Sequence, residues 1–397
     1  MTPILFDKLE TRFTSWGLGY ITDLISCTVT EERNGDFLLE AVLSIESPIY
    51  DKIKCDRIIY AQCYDEEKTY RQSGPGATYE TYTVTKNQPF RIYSISKPLS
   101  GKVTIKAEHL AREKMRNIVL APLAEPVTVQ AYYGNRGEWE ALGKYGSTGS
   151  NLVFTAMQTS KTLPAHKTPM PAKDYMQGTE ESILDVNKGI EYAYHNNIVI
   201  AACQGRGAAS PAVVRYGRDM TEFKQDEEIL GVYTGVVAYY YKTEEVEGET
   251  EGTKETVETY VDSGAVWGTH RMDYAEGRLM ILDRSSDYDE TPTQAQLRAD
   301  ANAYITDNEL GTPKINYTID LAPVWASTDG DGLTALRLCD TVGVYMEPLG
   351  ITAQAKVIKT EYNVLKERID KITLGNAKAS LPKTLVKLLK NTGVQLQ

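Results

Sequence analysis

Between Gly189 and Glu228 the chain alternates β-prone runs with residues suited only to tight turns or open loops. Residues 190–194 and 198–202 are β-prone. His195-Asn196-Asn197 lies between them, and asparagine tolerates positive φ, so the two runs read as a hairpin. A loop containing Gly205, Gly207, Ser210 and Pro211 follows, too poor in apolar groups to pack. A strand at 212–216 comes next, then Gly217-Arg218-Asp219-Met220 and a charged run ending in Gln225-Asp226-Glu227-Glu228. This punctuation predicts a strand-rich protein.

The same grammar recurs elsewhere. In the first 105 residues, runs at 25–31 and 37–45 flank Arg33-Asn34-Gly35-Asp36, a strong hairpin turn. Further β runs fall at 54–64, 90–97 and 101–107, with a polar excursion at 65–88 that includes Ser73-Gly74-Pro75-Gly76-Ala77. The pattern changes at Glu108. Residues 108–118 read as a helix stopped by Pro122 and Pro126, and Thr179 caps a second helix start. Residues 164–171 read as an exposed loop.

β character returns near 208, with runs at 232–242 and 257–261. The Glu-rich stretch between them reads as a solvated hairpin tip, since it lacks apolar surface to offset ordering entropy; the alternative is an acidic rim loop that repels DNA. Residues 294–308 form the clearest helix, with Thr291 as its cap, Pro292 in the first turn and Gly311 beyond its end. Leu297, Ala301, Tyr304 and Ile305 share one face and predict packing onto a sheet. Runs at 316–321, 336–342, 353–363 and 365–374 recur as a small closed barrel would need. Residues 381–389 have the spacing of a short basic amphipathic helix.

Composition restricts function. The 397 residues exceed one core and predict two to four domains. No apolar run approaches the ~20 residues of a membrane span. The N-terminus lacks the features of a secretory signal, so the chain is expected to be made and assembled in the cytoplasm, or to leave by lysis. A net charge of −11 disfavours stable DNA binding, though not a passage through which DNA slides. The 26 tyrosines against 6 phenylalanines suit two-sided sheets and subunit contacts.

Catalytic signals are weak. Cys27, Cys55, Cys63, Cys203 and Cys339 form no CxxC pair, and His109, His166, His195 and His270 form no zinc-ligand motif. Cys203 near His195 reads as a packed strand residue rather than a nucleophile. Asp287/Asp289 and Asp329/Asp331 read as polar turns, since the rest of a calcium loop is missing. Gly74-Pro75-Gly76 and Gly205-Arg206-Gly207 lack the helix and Lys-Ser/Thr of a phosphate cradle. No residue is nominated as catalytic, cofactor-binding or metal-ligating.

Several separate stretches, in order, resemble the N-terminal structural region of prophage tail proteins, the family of prophage tail endopeptidases or tail-associated lysins. They are C-T-V-T-E-E-R-N-G-D from Cys27, Q-P-F-R-I-Y from Gln88, the 189–228 segment, and L-C-D-T-V from Leu338 followed by K-T-E-Y-N-V-L-K-E-R and L-G-N. The similarity runs from about Thr22 to Gly375. It implies an α+β, predominantly β fold with two tube-like β-barrel hub domains, as in the trimeric tail-tip or baseplate hub of phages. The expected organisation is a first barrel at 1–105, an inserted α/β domain at 106–207, a second barrel at 208–375 carrying a peripheral helix at 291–309, and a helical tail at 376–397.

The function this implies is a non-enzymatic homotrimer in the virion tail. It would close the distal end of the tail tube, anchor receptor-binding or fibre proteins, and meet the distal tail and tape-measure proteins, while DNA passes without specific binding. Relatives often carry a wall-cleaving domain after this region, and only about twenty residues follow Gly375 here. A tail-associated peptidase or lysin and a receptor-binding tail protein are the alternatives.

Overall fold

The Arg33–Asp36 turn forms as its residues dictate: Asn34 takes φ 54°, between strands Leu24–Glu32 and Phe37–Ser44. The second strand alternates, burying Phe37, Leu39, Ala41 and Leu43. Phe37, Leu39 and Leu43 each contribute about 1.5–3 kcal/mol on burial. The computed structural model describes residues 2–73, 79–129, 144–145, 153–157, 161–177, 182–187, 189–202, 206–229, 232–247, 254–285, 287–312, 314–321 and 336–378. Among them the protein is predominantly β with few helices, and it divides into two compact units: Met1–Lys224 with Tyr317–Gln397, and Gln225–Asn316.

The first unit is built on one extended sheet. Its strands run in spatial order Met220–Glu228, Lys314–Leu321, Arg368–Lys378, Ile351–Asn363, Leu24–Glu32, Phe37–Ser44, Lys102–His109, Asn87–Ser96, Ile58–Gln62, Ile4–Phe6 and Gly19–Tyr20. Two more strands join through Ile351–Asn363: Thr341–Met346 lies antiparallel to it, and Ala209–Arg215 pairs in parallel with Thr341–Met346. Strands from the start and end of the chain therefore share one sheet, joined where Leu24–Glu32 meets Ile351–Asn363. Among the described residues this pairing path is open at both ends.

A three-stranded sheet joins the same unit, with Ile198–Ala202 between Val153–Met157 and Glu191–His195. The expected hairpin is present, turning through Asn196 at φ 50°. The helix expected at 108–118 spans Leu110–Asn117, and His109 caps it by accepting from the Ala111 N–H at 3.2 Å. Leu110, Ala111 and Met115 are buried, and Ile118 returns to extended backbone.

In the second unit, strands Gly235–Glu247 and Lys254–Asp262 pair over nine positions. Val266–Trp267 and Leu279–Asp283 flank the first strand's beginning, and the helix Gln294–Asp307 covers one face. Leu297, Ala301 and Ile305 meet Val236, Ala238 and Tyr240 there, with Tyr304 partly buried beside them, as the stripe predicts.

Local details differ from expectation. The helix cap is Thr293, not Thr291: its Oγ1 accepts from the Gln296 N–H, and the Gln296 side chain accepts from the Thr293 N–H. Pro292 disfavours helical backbone at Thr291, which moves the start beyond it. Residues 336–340 are a turn and the strand begins at Thr341, because Asp340 caps the Arg337 N–H at 2.9 Å and Cys339 takes φ 75°. The excursion at 65–88 contains a hairpin, Lys68–Ser73 with Tyr79–Val84. The strands flanking the Glu-rich stretch reach into it, to Glu247 and from Lys254. The Thr179 cap, the hairpin tip at 248–253 and the 381–389 segment lie outside the described residues.

Candidate functional site

The stretches singled out in the sequence converge on one buried polar network in the first unit. Arg206, from the Gly-Arg-Gly loop, places Nη1 2.5 Å from Glu31 Oε1 and Nη2 3.3 Å from Glu31 Oε2. Both side chains are buried. Nη2 also donates to the Tyr64 hydroxyl at 3.3 Å, and that hydroxyl donates to Glu31 Oε2 at 3.0 Å. The Arg206 backbone is held at both ends: its N–H donates to Glu191 Oε2 at 2.5 Å, and its carbonyl accepts from Lys68 Nζ.

Glu191 is the second hub. Its Oε1 lies 2.6 Å from Lys356 Nζ and 2.8 Å from Arg33 Nε. Desolvation opposes its ionisation, but Lys356, the Arg206 N–H and Arg33 outweigh it and hold the carboxyl below its ordinary value. Burial likewise opposes charge on Arg206, yet Glu31 and the surrounding tyrosines keep it firmly protonated. Breaking such a pair from one side costs about 3–5 kcal/mol, because the remaining charge stays buried.

Turn residues complete the junction. Asn34 acts as a strand surrogate for the first strand of the 190–202 hairpin, accepting from the Tyr192 N–H and donating to the Ile190 carbonyl, both at 2.8 Å. Asp340 Oδ1 accepts from the Ala208 N–H at 2.9 Å. Gly207 packs so closely that a Cβ there would sit 2.0 Å from the Cys339 carbonyl oxygen. Beside this, Gln88 links His109 (3.2 Å), the Asn196 N–H (3.0 Å) and His195 (3.3 Å), and Phe37 stacks on His109 at 4.6 Å. Burial, then His195 and Arg112, push His109 well below the usual histidine range, so it is neutral.

Chemically, this arrangement fastens segments together. The cavity beside Arg206, lined by Glu31, Tyr64, Asp65, Lys68 and Tyr362, holds about 40 Å³, enough for about three waters. Burial pushes the Cys27 and Cys339 thiols up to about 12, away from the thiolate a nucleophile needs. Cys203, Gly205, the 74–76 glycine turn and Asp329/Asp331 lie outside the described residues. Asp287 pairs with Arg284 at 2.6 Å, and no group of metal-binding side chains occurs among the described residues. No helix among them is long and apolar enough to cross a membrane.

Comparison with known proteins agrees with the motif reading. A family model described as prophage endopeptidase tail matches residues 138–385. No curated protein sequence matches the chain. Among solved structures, the prophage tail protein gp18 from Listeria monocytogenes EGD-e is similar at TM-score 0.53 and 12% identity, covering 98% of this chain and 99% of that one. The tail protein from Neisseria meningitidis MC58 is similar at TM-score 0.52 and 8% identity, covering 95% and 96%. At these identities the likeness is one of fold.

Proposed function

The chain belongs to the prophage endopeptidase tail family, and from that premise we propose that it is a structural, non-catalytic hub at the distal end of a phage tail. Three copies would form a ring that extends the tail tube, meet the distal tail and tape-measure proteins, and anchor receptor-binding or fibre proteins outside it. In this reading the barrel walls are drawn from the first unit's sheet.

The observation that carries the proposal is the end-to-end match in fold with two tail proteins. The Arg206–Glu31–Glu191 network supports it, since it ties the first strands, the 190–202 hairpin and the last strands into one body suited to bearing load. The protonated buried thiols also fit a structural role.

Light scattering of the purified chain tests the ring. A mass near three times 44.2 kDa is expected, and a monomer at tail-like concentrations contradicts it. The family description favours a second reading, a wall-cleaving enzyme. Zymography on host cell walls separates the two: no cleared band is expected, and a cleared band at the mass of this chain would overturn the hub reading.

A further inference from the structure

In the unit Gln225–Asn316, the helix Gln294–Asp307 covers one face of the sheet. Residues paired across a ladder share a face, so the registers define the opposite side. Gly235 stands beside Trp267 and Leu279, Val237 beside Ile281, Tyr239 beside Asp262 and Asp283, and Tyr241 beside Tyr260. This side is apolar yet open: Ile281 is 74% exposed, Tyr260 59%, Trp267 and Tyr241 43% each, and Leu279 38%. Tyr239 and Tyr260 stack at 6.3 Å on this face. A cluster of exposed large apolar side chains of this kind marks an interaction site.

Charge narrows the partner. Residues 225–316 hold 20 acidic and 7 basic side chains, a net −13, which leaves +2 for the rest of the chain. Asp262, Asp283 and Glu258 stand on the open face itself, in register with Tyr239 and Thr243. The matching ligand is apolar along one side, cationic along the other, and free of carboxylates. One stretch of this chain has that character. Residues 379–397 carry Lys383, Lys387 and Lys390 with no acidic residue, and Leu381, Leu385, Leu388 and Leu389 recur at helical spacing.

We propose that the open sheet face of the Gln225–Asn316 unit is the docking surface for residues 381–390 of a second copy of the chain. Leucines would cover Trp267, Ile281 and Tyr260, and the lysines, on the far side of the helix, would reach round it along their flexible stems to Asp262, Asp283 and Glu258 on the flanking strands. This rests on the reading that copies assemble together, and it adds a strap between neighbours that the ring itself does not require.

The test uses the full chain with the photocrosslinker p-benzoylphenylalanine at Leu385, in an equal mixture of unlabelled and ¹⁵N-labelled copies. Crosslinks from Leu385 to strands Gly235–Glu247, Lys254–Asp262 or Leu279–Asp283 are expected, in heavy–light pairs. Their yield should fall about tenfold in Ile281→Glu, a change at an exposed position that leaves the fold intact, and should fall similarly in 1 M salt. Three results would overturn the proposal: same-isotope pairs alone, crosslinks to other surfaces, or indifference to Ile281→Glu. Light scattering on the same sample separates the two readings. A trimer crosslinked elsewhere removes only the strap, whereas a monomer removes both.

Discussion

Arg206 and Glu31 are separated by 175 residues in sequence and by 2.5 Å in space. Replacing Arg206 with Met strands a buried carboxylate and should destabilise the first unit by about 3–5 kcal/mol, whereas Glu31→Gln with Arg206→Met together should cost much less. Urea denaturation of the two variants checks this, and equal losses would contradict it. The acid response is set at the same scale. His109 titrates below its ordinary 6.5 when folded, so its contribution is complete above that value and is lost as pH falls from there towards the folded value. Glu191 also has a depressed folded value; its contribution is complete above 4.5 and disappears as pH falls through the folded value. The denaturation midpoint should therefore drop first below about pH 6.5 and again below about 4.5. A midpoint that stays flat down to pH 5 would rule out the neutral buried histidine.

Elements were legible where the signal is local. The Asn34 and Asn196 turns and the Leu297, Ala301 and Ile305 stripe follow from a few adjacent residues, and the structure holds them as expected. The helix begins at Gln294 as expected, but its cap was misplaced by two residues because Thr291 and Thr293 flank one proline, and only Gln296 decides between them. Thr293→Ala should cost about 1 kcal/mol, read from Trp267 fluorescence during unfolding of the second unit; no change would remove the capping box from the account. Beneath that helix, the fully buried Tyr240 hydroxyl has no hydrogen-bond partner among the described residues. Tyr240→Phe should leave stability unchanged or raise it by up to about 1 kcal/mol, and a loss would reveal a hidden partner. The hairpin within 65–88 went unread because its strands are polar; Thr69 and Thr83 bond across it at 3.0 Å, a pairing visible only once the register is known. The Arg206 network was illegible for a different reason: its members appeared in the sequence as separate motifs, and nothing local says that they touch.

For the whole molecule, the motifs that carry the family resemblance are those that bind one another. Glu31 and Arg33, Gln88, Glu191, Arg206 and Asp340 each join segments that are remote in sequence. The chain's charge is divided as well, with the −13 concentrated in residues 225–316. That division leaves the remainder of the chain near neutrality. Labelling intact tails with a gold-conjugated antibody against this chain shows in electron micrographs whether it sits at the distal end of the tail. Gold confined to the tip, at three copies per tail, is the expected result; gold along the shaft, or absence of the chain from purified tails, would contradict it.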